Sequence, residues 1–287
     1  MTAEDEGAVG PALGKGKHIG PRWLFDHLDQ VAHFAGRPRL GLAVDFDGTL
    51  SEFAPTPAEA TIHPDCARAL ASLAQKLVRV MVLSGRGVRD LADHVGIQGL
   101  CYAGNHGAEY LCDGVHRVMP GAAAGSGQVR AVLDHLKSRI GDPALVWEDK
   151  VFSASVHYRR VQDAADVVRA LQAALADAPG LDELDLFWGS MLLEIRPRTG
   201  LNKGHAIRRL IGEKSVDSVL FIGDDTTDVD GMRAIREARD SKRAETLGVV
   251  VARPGTPKAL TELADYRVGS VADVGRFLGW MAGLRDG

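Results

Sequence analysis

The sequence predicts an α/β protein: a parallel, Rossmann-like sheet with helices on both faces, interrupted by an inserted α+β module. Three observations carry this expectation. Apolar strands alternate with amphipathic helices from Leu40 to Ala103 and again from Asn202 onward, the rhythm of a parallel sheet. Between these blocks short strands pair up, beginning with an Asp113-Gly114 hairpin signal near Glu109. Several strands also run out into polar segments, and parallel sheets bind ligands beyond such strand ends.

In chain order, Met1–Gly20 reads as a flexible tail with no apolar leader. Trp23, Leu24, Leu28, Val31 and Phe34 follow at helical spacing, and Gly36 stops that entry helix. Strand Leu40–Val44, helix Pro64–Lys76, strand Val78–Leu83, helix Val88–His94 and strand Leu100–Ala103 come next. The inserted module holds a helix from about Gly127 to Ile140, strands Leu145–Trp147 and Ser153–Tyr158, a helix over Gln162–Ala178, and strands Leu184–Trp188 and Met191–Ile195. Helix Asn202–Ile211, strand Ser218–Ile222, helix Thr227–Arg236 and strand Thr246–Val251 restore the alternation. The expected division is a tail over 1–20, a core from 21–119 and 197–287, and a cap over 120–196. The small-residue tract Pro120–Gly127 reads as a linker, and the crossings Met119–Gly127 and Arg196–Leu201 as hinges.

Composition narrows the function classes. A chain of 287 residues, 45% hydrophobic and 25% charged, is ordinarily globular and long enough for a large core with an insertion. Its net charge of −4 gives no electrostatic reason to expect a nucleic acid or an anionic membrane, so a small molecule is the expected partner. Cys66, Cys101 and Cys112 are odd in number and lack a Cys-x-x-Cys pair, so neither a disulfide framework nor a thiolate zinc site is expected. A reducing cytoplasm is the expected setting.

The chemistry concentrates in "LAVDFDGTLS", residues 42–51. Side chains alternate along a strand, so Asp45 and Asp47 point the same way as the strand ends, with Phe46 opposite. Two carboxylates so placed repel unless a cation or proton lies between them. An ordinary Asp-Gly turn is the plain alternative. A calcium loop fails on register, since Leu50 falls at its required glycine and Thr56 at its glutamate. The company of other strand ends favours a site: Ser84 follows one strand, Asp224 and Asp225 follow another, and Lys203 opens a helix. The macrodipole disfavours a cation there, unless an anion such as a phosphate or Asp45 is near.

In this combination the chain resembles the haloacid dehalogenase (HAD)-type phosphohydrolases and, more narrowly, the trehalose-6-phosphate phosphatase family. The broad resemblance rests on Asp45–Thr49, Ser84, Lys203 and Gly223–Asp228. The narrower one rests on "SGR" (84–86), "GNHGAE" (104–109), "EDK" (148–150), "HYR" (157–159), "LEIRP" (193–197), "NKG" (202–204) and "GDDTTD" (223–228). It spans about Leu40 to Ala264. Val229 is a departure, standing where family members often carry an acid between two aspartates.

The resemblance implies a HAD core with a C2-type cap and a Mg²⁺-dependent hydrolysis of trehalose 6-phosphate to trehalose and phosphate. Asp45 would be the nucleophile, forming an aspartyl phosphate, and Asp47 the acid and then the base. Ser84 and Lys203 complete the catalytic set. Mg²⁺ would be held by Asp45, the backbone carbonyl of Asp47, and Asp224, with Asp225 and Asp228 orienting metal waters or Lys203. Helix capping remains the plain alternative for Ser84 and Asp228.

Substrate binding is implied for Arg86, Asn105, His106, Glu109, Glu148, Lys150, His157 and Glu194, with Glu148 and Lys150 on the non-phosphorylated glucose. Carboxylate and ammonium groups together suit sugar hydroxyls, which both donate and accept. Exposed cross-strand pairing is the plain alternative for Glu148 and Lys150. Sucrose 6-phosphate and mannosylglycerate phosphate stay open as substrates, as do a non-catalytic binding role and association with the trehalose-6-phosphate synthase. The cap is expected to close over the site so that the covalent intermediate meets only the intended water.

Overall fold

In the computed structural model, which describes residues 20–189 and 191–286, the entry helix is shorter than its apolar spacing suggests. The expected tail lies, Gly20 apart, outside those residues. Arg22–Trp23 (β1) adds a two-residue strand to a sheet edge, Leu24–His27 form a 3-10 turn, and only Leu28–Ala35 (α1) is α-helical. The spacing recorded which side chains are buried, and Leu24 reaches the core from the turn just as it would from a helix.

The first block then follows the expected alternation: β2 (Leu40–Asp45), α2 (Pro64–Lys76), β3 (Arg79–Leu83), α3 (Val88–Val95) and β4 (Cys101–Gly104). The hairpin β5 (Glu109–Cys112) and β6 (Val115–Val118) turns at Asp113 and Gly114, both left-handed in φ. The insertion consists of α4 (Pro120–Arg139), β7 (Val146–Asp149), β8 (Ala154–His157), α5 (Ala164–Leu175), β9 (Leu184–Gly189) and β10 (Leu192–Pro197). The chain closes with α6 (Lys203–Ile211), β11 (Ser218–Gly223), α7 (Asp228–Asp240), β12 (Glu245–Val251), α8 (Lys258–Leu263), β13 (Tyr266–Val268) and α9 (Val271–Gly283).

Two sheets result. The larger has the order β1-β13-β12-β11-β2-β3-β4-β5-β6, parallel through β4 and antiparallel at the β5–β6 hairpin. Period-2 alternation along its central strand sorts the apolar layers. Leu42 and Val44 pack with Leu70, Leu73 and Phe277 on one face, and Ala43 packs with Ile207, Leu210 and Met232 on the other. The smaller sheet, β7-β8-β10-β9, is antiparallel throughout and rests on α4 and α5 through Val132, Leu136, Leu171, Leu193 and Ile195.

Two expectations are corrected. Pro120–Gly127 is no linker but the first turns of α4. Proline suits the first helical position, and three alanines carry the helix past the glycines. Gly125 serves packing: a Cβ on it would lie 2.4 Å from the Pro197 Cβ, so the two chain crossings touch. Second, Cys101 and Cys112 form a disulfide, with Cα atoms 4.4 Å apart, leaving Cys66 free and buried. An odd count argues against a framework but not against one cross-strand pair, whose partners are set by the hairpin register beside Tyr102 and Leu111. Among the described residues no helix is long and apolar enough to cross a membrane.

Candidate active site

Strands β12, β11, β2, β3 and β4 lie side by side, so the segments leaving them open on one edge of the sheet. β2 ends at Asp45, β3 leads to Ser84, β4 to Asn105, β11 to Asp224 and β12 to Arg253. Sequence patterning located Asp45, Ser84 and Asp224 among these exits, and the family resemblance supplied Asn105. Arg253 escaped both, although the same strand-end rule applied to Thr246–Val251 points to this residue.

At the centre is a buried cluster of acids around one lysine. Lys203 Nζ donates to Asp45 Oδ1 at 2.6 Å and to Asp228 Oδ1 at 2.7 Å, with all three residues buried. Asn202 fixes the start of α6 by accepting from the His205 N–H, which makes Lys203 the first helical residue. Burial disfavours its charge, but Asp228 and Asp45 outweigh that and hold the ammonium above its ordinary range. The same burial lifts the Asp45 carboxyl well above the usual carboxylate range despite Lys203. Asp224 is pushed up to about 7, by burial first and by Asp228 next.

Asp228 is committed on both oxygens. Its Oδ2 accepts the backbone N–H groups of Asp224 and Asp225, each at 3.0 Å, so one side chain shapes the loop after β11 and anchors Lys203. It does not cap α7, because it is that helix's first residue and Thr227 stands before it. Asp225 is exposed. Gly48 has φ +87° and is held against Asp224, whose Oδ2 would lie 2.3 Å from any Cβ there. Arg253 Nη2 donates to Asp224 Oδ2 at 2.7 Å, and Thr49 Oγ1 donates to Asp224 Oδ1 at 3.2 Å.

Asp45, Asp224 and Asp228 offer oxygens within 4.8 Å of one another. Three hard carboxylate donors with one partly shared lysine suit a small divalent cation such as Mg²⁺. Asp228 is already spent on Lys203 and the loop, which leaves Asp45 and Asp224 as the fitting side-chain ligands.

The Asp47 side chain has partners of its own. Arg86 grips both its oxygens, and Ser84 Oγ donates to Asp47 Oδ2 at 3.3 Å while accepting the Arg86 N–H at 3.1 Å. Arg86 also binds Asp90 at 3.1 Å, so this residue, expected among the sugar ligands, is engaged with two carboxylates of the core. Ser84 does not cap α3, whose capping position is Gly87.

The inserted sheet faces this edge with a chain of ionic contacts. His157 Nε2 meets Glu148 Oε2 at 2.9 Å, Lys150 Nζ lies 3.8 Å from Glu148 and 3.3 Å from Glu194, and Glu194 meets His106 Nε2 at 2.9 Å. Five residues expected to bind sugar are thus brought into one network. Burial favours a neutral Glu194, but His106 and Lys150 outweigh it and hold the carboxyl well below its ordinary range. Burial holds His106 below the usual imidazole range even so. Glu148 is lowered too, Lys150 and His157 overcoming burial. Glu109 lies behind this network, bonded to the Val88 N–H, to Asn105 and to His116. Beside Lys203 a cleft of about 320 Å³ opens between core and insertion, walled by His106, Phe187, Arg196, Thr226 and Arg233.

The trehalose-phosphatase family model matches residues 43–261. A trehalose-phosphate phosphatase of Mycobacterium marinum is 35% identical over 205 residues, covering 69% of this chain and 52% of the relative. The chain spans about half the length of the curated relatives it matches. Among solved structures, the Candida albicans trehalose-6-phosphate phosphatase C-terminal domain superposes with a TM-score of 0.76 at 20% identity, covering 92% of this chain and 98% of that one. An Aspergillus fumigatus trehalose-6-phosphate phosphatase gives 0.60 at 24% identity, covering 92% and 99%.

Proposed function

The chain belongs to the trehalose-phosphatase family, and from that premise we propose that it hydrolyses trehalose 6-phosphate to trehalose and inorganic phosphate. The observation that carries this reading is Lys203 bridging Asp45 and Asp228 at the strand-end edge, in a cleft that it lines together with His106, the partner of Glu194 in the insertion's Glu148–Lys150–Glu194 network.

In this reading a carboxylate oxygen of Asp45 attacks phosphorus and the bond from phosphorus to the sugar oxygen breaks. Asp47 gives its proton to that leaving oxygen. The aspartyl phosphate is then attacked by water, whose proton returns to Asp47, and the bond from phosphorus to Asp45 breaks. Lys203 and Ser84 neutralise and orient the phosphoryl oxygens, and Asp228 keeps Lys203 in place. Asp45 and Asp224 would hold Mg²⁺, with the Asp47 backbone carbonyl as a further donor. When bound, the ion supplies the positive charge that lets an anionic nucleophile meet an anionic ester. Arg253 and Thr49 position Asp224 for that role. Glu148, Lys150 and Glu194 read the sugar hydroxyls, and His106 fixes Glu194. The setting is the cytoplasm, where sugar phosphates are made.

Phosphate release from trehalose 6-phosphate, sucrose 6-phosphate and mannosylglycerate phosphate, with and without Mg²⁺, tests the reading. Preference for trehalose 6-phosphate by about tenfold or more supports it. An equal preference for another ester overturns the substrate, and full activity after chelation overturns the ion's role.

A further inference from the structure

The turn Gly104–Gly107 stands between the large sheet and the insertion with the side chain of Asn105 fully engaged. Its Oδ1 accepts from Ser153 Oγ on the insertion, and its Nδ2 donates to the Lys150 carbonyl at 3.2 Å across the same boundary. A second Nδ2 bond, 2.7 Å to Glu109 Oε1, ties the amide back into the core. The backbone of the turn is held as firmly. The Asn105 N–H donates to the Arg86 carbonyl at 2.7 Å and the His106 N–H to the Ser84 carbonyl at 3.0 Å.

Ser153 is 1% exposed and Asn105 3%, so these bonds exclude water from the boundary. Asn105 and His106 sit at φ 47° and 56°, a left-handed region that side chains disfavour and surrounding contacts must impose. An amide with both donors and its acceptor in use inside the protein has little left to offer a sugar.

We propose that Ser153 and Asn105 are positioning residues forming a latch that holds the Lys150 turn of the insertion against the loop carrying Ser84 and Arg86. Lys150 is then fixed twice, by its carbonyl through Asn105 and by its ammonium through Glu194. Arg86 is fixed at its carbonyl by Asn105 and grips Asp47 with its guanidinium, so a loosened latch reaches the acid–base group. The inference rests on the phosphatase reading and says how sugar recognition and phosphoryl chemistry are coupled in it.

The test uses the full chain with spin labels at Arg169→Cys on α5 and Lys258→Cys on α8, both exposed. Distance distributions and kinetics are measured for Ser153→Ala, for Asn105→Gly, which accepts the left-handed φ, and for Ser153→Thr, which keeps the hydroxyl. Both latch-breaking variants should broaden the distribution toward longer separations and lower kcat/KM for trehalose 6-phosphate about tenfold, with a smaller loss on p-nitrophenyl phosphate, whose nitrophenolate leaves without a proton from Asp47. Ser153→Thr should restore both. Unchanged distributions overturn the latch, and lost activity with unchanged distributions assigns Ser153 to sugar contact instead. If the unmutated chain cleaves neither ester while Ser153→Ala still broadens the distribution, the latch stands and the phosphatase reading falls.

Discussion

Arg86 holds Asp47 by both carboxylate oxygens, Nε to Oδ2 at 2.9 Å and Nη2 to Oδ1 at 2.8 Å. A planar fork of this kind fixes orientation as well as charge. The guanidinium lies over the Phe46 ring, 5.3 Å from its centroid, and its remaining arm binds Asp90. Arg86 therefore aims the group assigned to proton transfer through the carboxylate oxygens themselves.

Arg86→Gln should lower kcat for trehalose 6-phosphate by about 10²-fold and change KM much less, because positioning of the acid is lost while the sugar contacts stay. Arg86→Lys should recover only part, since a point charge cannot grip two oxygens. Steady-state kinetics on the three proteins checks this; a pure KM effect would return Arg86 to the sugar ligands.

Lys203→Met removes the one cation shared by two buried acids, Asp45 at 3% and Asp228 at 0% exposure. The expected loss of stability is about 3–5 kcal/mol at pH 8, because two buried carboxylates lose their partner. Burial already lifts the Asp45 carboxyl and losing Lys203 lifts it further, so the deficit should shrink as pH falls toward 5. Adding Asp228→Asn should recover part of it. Denaturant unfolding at the two pH values, with chelator present, measures each step.

Much of this was legible in the sequence because strand ends in a parallel sheet announce themselves. Asp45, Ser84, Lys203 and Asp224 each follow an apolar run or open a helix, and the topology brings them to one edge. Contacts set by register or by depth were not legible. The Cys101–Cys112 pairing depends on which residues of β4 and β5 face each other, which spacing alone does not encode. Ser153 reads as any strand serine until the Asn105 amide meets it, and Arg253 stands in the loop after β12, which no motif includes. The tract over Pro120–Gly127 misled because small residues serve both flexible chain and close packing; Pro197 decides for packing.

Asp224, pushed up to about 7 by burial and then by Asp228, should be about half-protonated near neutral pH in the ion-free protein. A divalent cation favours the carboxylates, so Mg²⁺ binding at pH 7 should expel at least about half a proton from Asp224, with Asp45, also raised by burial, adding to it, and the Asp224 share should be smaller at pH 8.5. Titration calorimetry in two buffers of different ionisation enthalpy reads that release; heats independent of buffer would contradict it. The stability sign follows from a folded value above the unfolded one. The penalty of burying the carboxylate is full above pH 7 and is relieved as pH falls toward 4. Asp224→Asn should accordingly stabilise the ion-free protein at pH 8 and do so less at pH 5.

Gly85 separates Ser84 from Arg86, and a Cβ there would lie 2.6 Å from His106 Nε2 and 2.7 Å from its Cε1. The imidazole has nowhere to withdraw, being 5% exposed and held at Nε2 by Glu194. Gly85→Ala should thus drive His106 off Glu194, whose carboxyl then keeps only Lys150 among its short contacts and loses its fixed orientation. If Glu194 reads the sugar as proposed and takes no part in the phosphoryl cluster, KM for trehalose 6-phosphate should rise about tenfold with kcat within about threefold. Hydrolysis of p-nitrophenyl phosphate, which has no sugar to read, should be little changed. Equal losses on both esters would mean that the methyl group disturbs Ser84 and Arg86 directly, and that His106 has no separate part in recognising the sugar.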